Sequence, residues 1–510
     1  MKFRNTFFPG SLCMVAALTV AACAVGPDFK RPDAPAVTQF TPDTLPATTS
    51  AADIKGGEAQ KFDSGRDIPA EWWTLFQSPT LNTLIEQAVK SNPDLQSAVA
   101  ALRVAKENTA AQVGAYFPTI EANPTAARYH NSAILSPTLN NYQPYFNLYG
   151  AQVSAEWTLD IWGGNRRAVE SLKATADMQR FEADAAYLTL TSALAAAAIQ
   201  EASLREQLAA TQDIVKEEVA SLDVLKKQLS LGQVAGSDVA AQEAALAQAQ
   251  QTLPSLRKQL EQEQDLITVL AGRFPNDRVP QTFELDTLVL PQELPVSVPS
   301  NLVEQRPDIR AAEESLHSAS AQIGVAVANM LPNLTLSAAD GTTATQLAGL
   351  FAPGNGYWTL AAGLTQPVFD GGTLLHKTRA ARAAYDQAFA QYRATVLSAF
   401  QNVADTLYAI QSDADALRAT VASRDAAEKS LNSARLRLRV GDANVLVVLN
   451  AEQTYQQAVI SLAQARAARF ADTVALFQAL GGGWWTDLRP GLTDQSPRVI
   501  RTGIVRSSGP

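Results

Sequence analysis

Glycine and proline are both missing from two stretches of this chain, Asn165 to Leu231 and Thr373 to Val440. These residues punctuate local structure, so their joint absence over such lengths excludes a succession of short elements. Each stretch opens after a glycine pair (Gly163-Gly164, Gly371-Gly372) and closes on a single glycine (Gly232, Gly441). Cysteine is also scarce. Only Cys13 and Cys23 occur, which leaves no disulfide framework to build. The three histidines, His130, His317 and His376, lack His-Glu-x-x-His spacing and read as surface polar residues. No metal site, cofactor or catalytic centre is expected. Gly371-Gly372 precedes a helix, but no Gly-Lys-Ser/Thr follows, so it reads as a turn and not a phosphate loop. The net charge of −9 argues against nucleic acid as a partner. No apolar run long enough for a transmembrane helix occurs outside the N-terminal leader.

Good helix formers fill the two uninterrupted stretches: Ala, Leu, Gln, Glu, Lys and Arg. At 1.5 Å per residue each predicts a helix of roughly 100 Å, longer than an ordinary globular core needs. Leu208, Val215, Leu222 and Leu229 lie on a seven-residue grid. So do Val396, Val403, Ile410, Leu417, Leu431 and Leu438, with Arg424 interrupting. A strict heptad predicts coiled-coil packing.

The two halves are copies of one another. Gly441 follows Gly232 by 209 positions, and Leu417, Leu431 and Leu438 follow Leu208, Leu222 and Leu229 by the same number. Asn92-Pro93-Asp94-Leu95 is echoed by Arg306-Pro307-Asp308-Ile309, and Ala111-Gln112-Val113-Gly114 by Ala321-Gln322-Ile323-Gly324. A repeat this long is a duplicated fold unit and not a solenoid motif. In each unit a helix begins near the proline of the Pro-Asp pair, where proline suits a first helical turn. A strand-like run follows. Val153 to Asp160 alternates apolar and polar residues, and Trp358, Leu360, Ala362 and Leu364 alternate with Thr359, Ala361, Gly363 and Thr365. Then come the long helix, a glycine turn, and a third helix returning over about Asp238 to Leu270 or Val445 to Leu480.

The N-terminus carries Lys2 and Arg4, an apolar run from Phe7 to Val20, and then Val20-Ala21-Ala22-Cys23. Small residues before a cysteine at the end of a secretory apolar run form a lipobox. The expectation is a lipoprotein signal peptide over 1–22 and a lipid on Cys23. Ala24 follows, where Asp would go with inner-membrane retention, so an outer-membrane destination is compatible. The remaining chain divides into an extended segment over 23–70, a first repeat over 71–290, a second over 291–485, and a tail over 486–510. Alternating strands of about ten residues fit an outer membrane, which tolerates only closed barrels. Four strands cannot close alone, because the smallest barrels need about eight. If these strands span a bilayer, several protomers share one barrel.

Trp72-Trp73-Thr74-Leu75-Phe76, Asn92-Pro93-Asp94-Leu95, Arg306-Pro307-Asp308-Ile309, the run Gly232 to Val239, and the run Gly441 to Gln453 with Leu449-Asn450-Ala451 together resemble the TolC-type outer membrane factors. More narrowly, they are similar to the lipoprotein branch that serves resistance-nodulation-division (RND) efflux pumps. The resemblance covers about 70–485. It implies a mainly helical homotrimer whose protomers each give four strands to a shared twelve-stranded membrane β-barrel and their helices to a hollow periplasmic α-barrel. It implies no enzyme but a passive duct for small molecules, anchored in outer membrane lipid and docked by a periplasmic adaptor and an inner-membrane RND transporter. A type I secretion duct is the nearest alternative. A non-pore periplasmic adaptor lipoprotein is the rival from another class, though the doubled helical hairpin counts against it.

The resemblance also implies a periplasmic gate at the two helical turns, with Gly232 and Gly441 at the tips for adaptor contact. Asp238 matches a position that is often acidic in the family. Leu446 matches one that forms apolar rings in pump-linked members. Asn450 stands where Asp is common, and Val447 and Ala443 stand where some members have Asp and Arg. An apolar constriction of Leu446, Val447 and Leu449 is therefore expected in place of ionic locks. Two bland readings stand beside it: Leu446 as coiled-coil core, and Asp238 as a helix N-cap with Ser237. Arg435, Arg437 and Arg439 read as a solvated face or an adaptor contact.

Overall fold

The structure is a computed structural model that describes residues 24–44, 46–130 and 145–486. Cys23, the expected leader and residues 487–510 of the expected tail lie outside the described residues. The chain runs β1 (Lys61–Ser64), a 3₁₀ turn (Trp72–Phe76), α1 (Pro79–Ser91), α2 (Pro93–Gly114), β2 (Thr119–His130), β3 (Tyr145–Leu159), α3 (Gly164–Ser230) and α4 (Gly236–Leu270). It continues with β4 (Glu293–Val296), α5 (Pro299–Gln305), α6 (Pro307–Ala328), β5 (Asn333–Ala344), β6 (Gly356–Thr365), α7 (Thr373–Arg439) and α8 (Val445–Ala479). Four pairs of counterparts in the two halves match in length, while β3 and α1 are longer than β6 and α5. α2 and α6 have 22 residues each, β2 and β5 12, α3 and α7 67, and α4 and α8 35. Among the described residues no helix is long and apolar enough to cross a membrane.

The duplicated motifs act as fasteners. Asn92 accepts the backbone N–H of Leu95 (3.0 Å) and donates to the carbonyl of Leu270 (2.9 Å). Its counterpart Arg306 donates to the carbonyl of Ala479 (2.9 Å) while gripping Asp308 (2.7 Å). Different side chains thus tie the start of α2 or α6 to the unsatisfied carbonyls that end α4 or α8.

Two compact units emerge, and each draws on both halves of the sequence. The first takes Leu102–Met178 and Ala312–Tyr392 with the described residues up to Pro32. It holds an antiparallel sheet of order β2-β3-β5-β6. Residues directly opposite one another on antiparallel strands share a face. One face therefore carries the rows Ile120/Ala155/Ala338/Leu360, Trp157/Leu336/Ala362 and Leu159/Leu334/Leu364. The other carries Thr119/Glu156/Ser337/Ala361, Glu121/Ser154/Ala339/Thr359 and Thr158/Thr335/Gly363. The alternation read along single strands extends across the sheet in these rows, whereas farther along the first face also takes Asp340 opposite Val153 and Arg128 opposite Asn147.

Residues 25–31 are strapped onto this same unit. Val25 donates to the Trp162 carbonyl (2.9 Å), Arg167 pairs with Asp28 (2.6 Å), and Arg31 pairs with Glu313 (3.0 Å). Phe29 stacks on His317 at 4.3 Å. His317 also bonds Glu170 (3.1 Å) and Glu314 (3.2 Å), so it is a half-buried packing residue and not the surface polar residue expected.

The second unit takes Asp33–Ala101, Gln179–Ala311 and the chain from Arg393 onward. Its core is aromatic. Trp72 and Phe76 are fully enclosed, with Phe477 lying 5.4 Å from Trp72 and Phe470 lying 6.3 Å from Phe76. Gly482, in the left-handed region at φ +67°, lets the chain pass here, since a Cβ would lie 2.2 Å from Leu188. The segment expected to be merely extended does more. β1 pairs in parallel with β4, and Gln60 reaches both the Pro291 carbonyl (3.0 Å) and Thr473 (3.0 Å). On α7 the expected heptad holds. Val396, Val403, Ile410, Leu417 and Leu431 are buried. On α3 only Leu222 of the grid is buried, and the buried residues gather instead in the middle of the helix, where Leu194, Ala195, Ala197, Ala198, Ile199, Ala202 and Leu204 cover most of its circumference. A helix surrounded by protein needs no single apolar stripe.

One charged pair in this unit predicts a pH response. The Asp413 carboxyl on α7 shares a hydrogen bond with Asp472 on α8. Burial first, then that bond and the neighbouring negative charge, push Asp413 up to about 7 against the opposing charge of Arg469. The folded chain therefore keeps a proton that the unfolded chain loses above the ordinary value of 3.8. Stability falls as pH rises through that window. Asp413→Asn is expected to raise the melting temperature at about pH 8, change it little at about pH 5, and flatten the slope between them. Thermal melts in detergent at both values check this.

Candidate functional site

Each long helix ends in the same turn. Gly232 and Gly441 adopt φ +71° and +78°. The N–H of Gln233 returns to the Gln228 carbonyl (2.9 Å), and that of Asp442 to the Arg437 carbonyl (2.9 Å). This is the six-to-one closure of a left-handed helix cap, where glycine avoids a Cβ penalty. A Cβ on either glycine would meet nothing within 4 Å, so conformation alone selects glycine there. Arg437 braces the second turn through Asp442 (2.9 Å).

The returning helices start differently. Asn444 caps α8 by accepting the N–H of Val447 (3.1 Å). On α4 the capping position is Ala235, and Asp238 sits three residues on, its carboxylate accepting the N–H of Ala235 (3.1 Å). The expected pairing of Asp238 with Ser237 as an N-cap is therefore corrected. Asp238 serves the helix start from inside the first turn, where its charge also suits the helix dipole.

Behind the turns α3, α4 and α8 share one apolar core of Leu222, Leu225, Val239, Val445 and Leu449, with Leu438 of α7 packed against it. A second cluster, Leu431, Ala434, Val448 and Ala451, adjoins Leu438 and Tyr455. Leu449 is thus core and does not join a constriction with Leu446 and Val447, as the sequence had suggested. Leu446 and Val447 are 56% and 40% exposed, and Asn450 is exposed beside them. Offsets of one and four place these three on one outward strip of α8, so the coiled-coil-core reading of Leu446 is set aside. The chain spends two large apolar side chains on a surface beside a turn.

Arg435 is also corrected. It is half-buried and not part of a solvated face, with its fork bonded to Glu217 (2.8 Å) and Glu452 (3.0 Å). No periodicity could reveal this pairing, since its partners lie on α3 and α8. Among the described residues no group of metal-ligating side chains is assembled.

The outer membrane efflux protein family model matches residues 84–273 and 298–482. The chain belongs to the outer membrane efflux protein family. It is 29% identical over 449 residues to the pyoverdine export outer membrane protein OpmQ of Pseudomonas putida, covering 87% of this chain and 94% of that one. It is 26% identical over 475 residues to the toluene efflux pump outer membrane protein TtgC of Pseudomonas putida, covering 92% and 95%. The solved outer-membrane channel OprN superposes with a TM-score of 0.81 at 27% identity, covering 91% of this chain and all of that one. Members of this family are outer membrane efflux channels, and the long helices and antiparallel sheet described above are the TolC-like fold of such a channel.

Proposed function

We propose that three copies of this chain form a passive duct that carries small organic molecules out of the periplasm as the outer membrane component of a tripartite pump. The observation that carries the reading is the sheet. Among the described residues its outer strands β2 and β6 have no partner along their outer edges, and one face is apolar over the rows through Ala155, Trp157 and Leu159. Unpaired edges are untenable in hydrocarbon. Four strands from each of three copies close a twelve-stranded barrel with the apolar rows toward lipid and the Ser/Thr/Glu rows toward the lumen. The helices then wall a periplasmic tube whose turns, with Gly232 and Gly441 at their tips, meet a periplasmic adaptor beneath an inner-membrane RND transporter. Pyoverdine and toluene, named for two relatives, support small organic molecules as the class of cargo.

The gate of this duct is the strip Leu446, Val447 and Asn450 with Asp238 on the neighbouring turn. The anchor is a lipid on Cys23. Its support is the strap at 25–31, which holds the chain just after that cysteine against Trp162 and Arg167 at the junction of β3 and α3. One experiment tests duct and anchor together. Outer membranes from cells fed labelled palmitate are extracted, and the purified protein is placed in planar bilayers. Labelled trimers that conduct are expected from wild type, and unlabelled trimers that still conduct from Cys23→Ser. Absence of conductance in wild type defeats the duct, and label persisting in Cys23→Ser defeats the anchor.

A further inference from the structure

Just behind the tip core a polar knot joins all four helices. Glu218 on α3 is 3% exposed and Glu452 on α8 is 6% exposed. The Glu218 carboxylate accepts from the side-chain amides of Gln242 on α4 and Gln456 on α8, the latter at 2.8 Å. The Glu452 carboxylate accepts from Arg435 on α7 at 3.0 Å, and Arg435 reaches across to Glu217 on α3 at 2.8 Å. Three carboxylates thus face one guanidinium and two amides, a surplus of negative charge in which Glu218 and Glu452 are buried and Glu217 is exposed.

The knot also has a seam. Gln242 with Glu218 lies within the first helical pair, and Arg435 with Glu452 lies within the second. The contacts that cross between the pairs are Arg435 to Glu217 and Gln456 to Glu218. Parting the two pairs breaks those crossings and lets water reach both buried carboxylates. It leaves each pair's own contact intact.

We propose that this knot is a proton-linked latch: the packed tip takes up protons at Glu218 and Glu452 that the parted tip releases, so acid clamps the four helix ends together and alkali loosens them. The sign follows from linkage. Burial first, then the charge of Glu452, push Glu218 above the ordinary carboxylate range, with Gln456, Gln242 and Arg435 opposing. Burial pushes Glu452 up as well, with Arg435 opposing and Glu217 adding to the rise. A carboxyl that holds its proton more tightly when packed than when hydrated favours packing as pH falls through the window above its ordinary value. The latch places regulation at the gate proposed above, but it concerns the tip of one chain and is measurable without conductance.

The test is hydrogen–deuterium exchange of the purified protein, read by mass spectrometry at about pH 5.5 and about pH 8 after correction for intrinsic exchange. Peptides spanning 222–242 and 434–452 are compared with the aromatic core around Trp72 and Phe477 as an internal control. In wild type, protection of the tip peptides is expected to fall several-fold from the acid to the alkaline condition, and by more than that of the control. The control should fall by less, following only the overall loss of stability as Asp413 ionises. Glu218→Gln with Glu452→Gln, each an uncharged mimic of the protonated acid, is expected to hold acid-level protection at both values. Tip protection in wild type that ignores pH overturns the latch without any variant. An undiminished pH dependence in the double variant, with its core protected, overturns it equally.

Discussion

Leu446→Ser is expected to raise single-channel conductance in planar bilayers several-fold, while Asn450→Ala leaves it near the wild-type value. Leu446 shows more than half its surface in the protomer, whereas Val445, Val448 and Leu449 fill the core behind it. Serine at 446 therefore leaves the tip core intact, and exposed substitutions of this kind usually change stability by less than about 0.5 kcal/mol. Around a threefold axis, Leu446 and Val447 present rings that exclude water from a narrow aperture, and a hydroxyl admits it. Asp238→Ala should fall between the two. It removes a carboxylate from the aperture, weakening block by divalent cations, and it also frees the N–H of Ala235, a capping loss of about 1 kcal/mol. Leu449→Ser is the contrasting control. It buries a hydroxyl in the tip core and should lower stability before it alters the pore. Unchanged conductance in Leu446→Ser, with a large rise in Asn450→Ala, would show a gate held by polar contacts instead.

The residues behind that prediction show where a single sequence can be read and where it cannot. Helix existence and length were legible because they depend on local punctuation. The boundaries Gly164–Ser230 and Thr373–Arg439 follow directly from where glycine stops and resumes. The duplication was legible because it lies in residue spacing, and the matched element lengths repeat it. Sheet facing was legible along one strand at a time, since side chains alternate regardless of partners. Contacts between distant segments left no such trace. Leu446 and Leu449 are alike in type, and only the packing of four helix ends makes one core and the other surface. Arg435 sits among Arg437 and Arg439 in a run that looks uniformly solvated, yet its partners lie 218 positions before and 17 after it. Arg469 is almost wholly buried, and its guanidinium donates to the Glu58 carbonyl (2.8 Å) and Gln60 (3.1 Å) from the segment that composition marked only as extended.

Leu360→Arg is expected to abolish most stable trimer in outer membranes, while Thr359→Arg, one residue away, assembles nearly as wild type. The two positions differ only in facing. Leu360 lies opposite Ala338, and that row continues through Ala155 to Ile120, all of them small or apolar. Thr359 lies opposite Ala339, and its row continues through Ser154 to Glu121. If the first row meets lipid, a guanidinium there costs about 2–4 kcal/mol near the bilayer midplane, diminishing toward the interfaces. That cost recurs in each of three copies of one closed barrel, so the assembled fraction should drop far more than a single penalty suggests. On the second row the same guanidinium enters water and shares a row with the Glu121 carboxylate, which removes the desolvation cost. The measurement is the fraction of heat-modifiable trimer recovered from outer membranes, read for both variants at matched expression. Loss of trimer in Thr359→Arg with normal assembly of Leu360→Arg would invert the sheet, turning the Ser/Thr/Glu rows outward. Normal assembly of both would remove the sheet from the hydrocarbon altogether, and with it the argument that its two open edges require neighbouring copies.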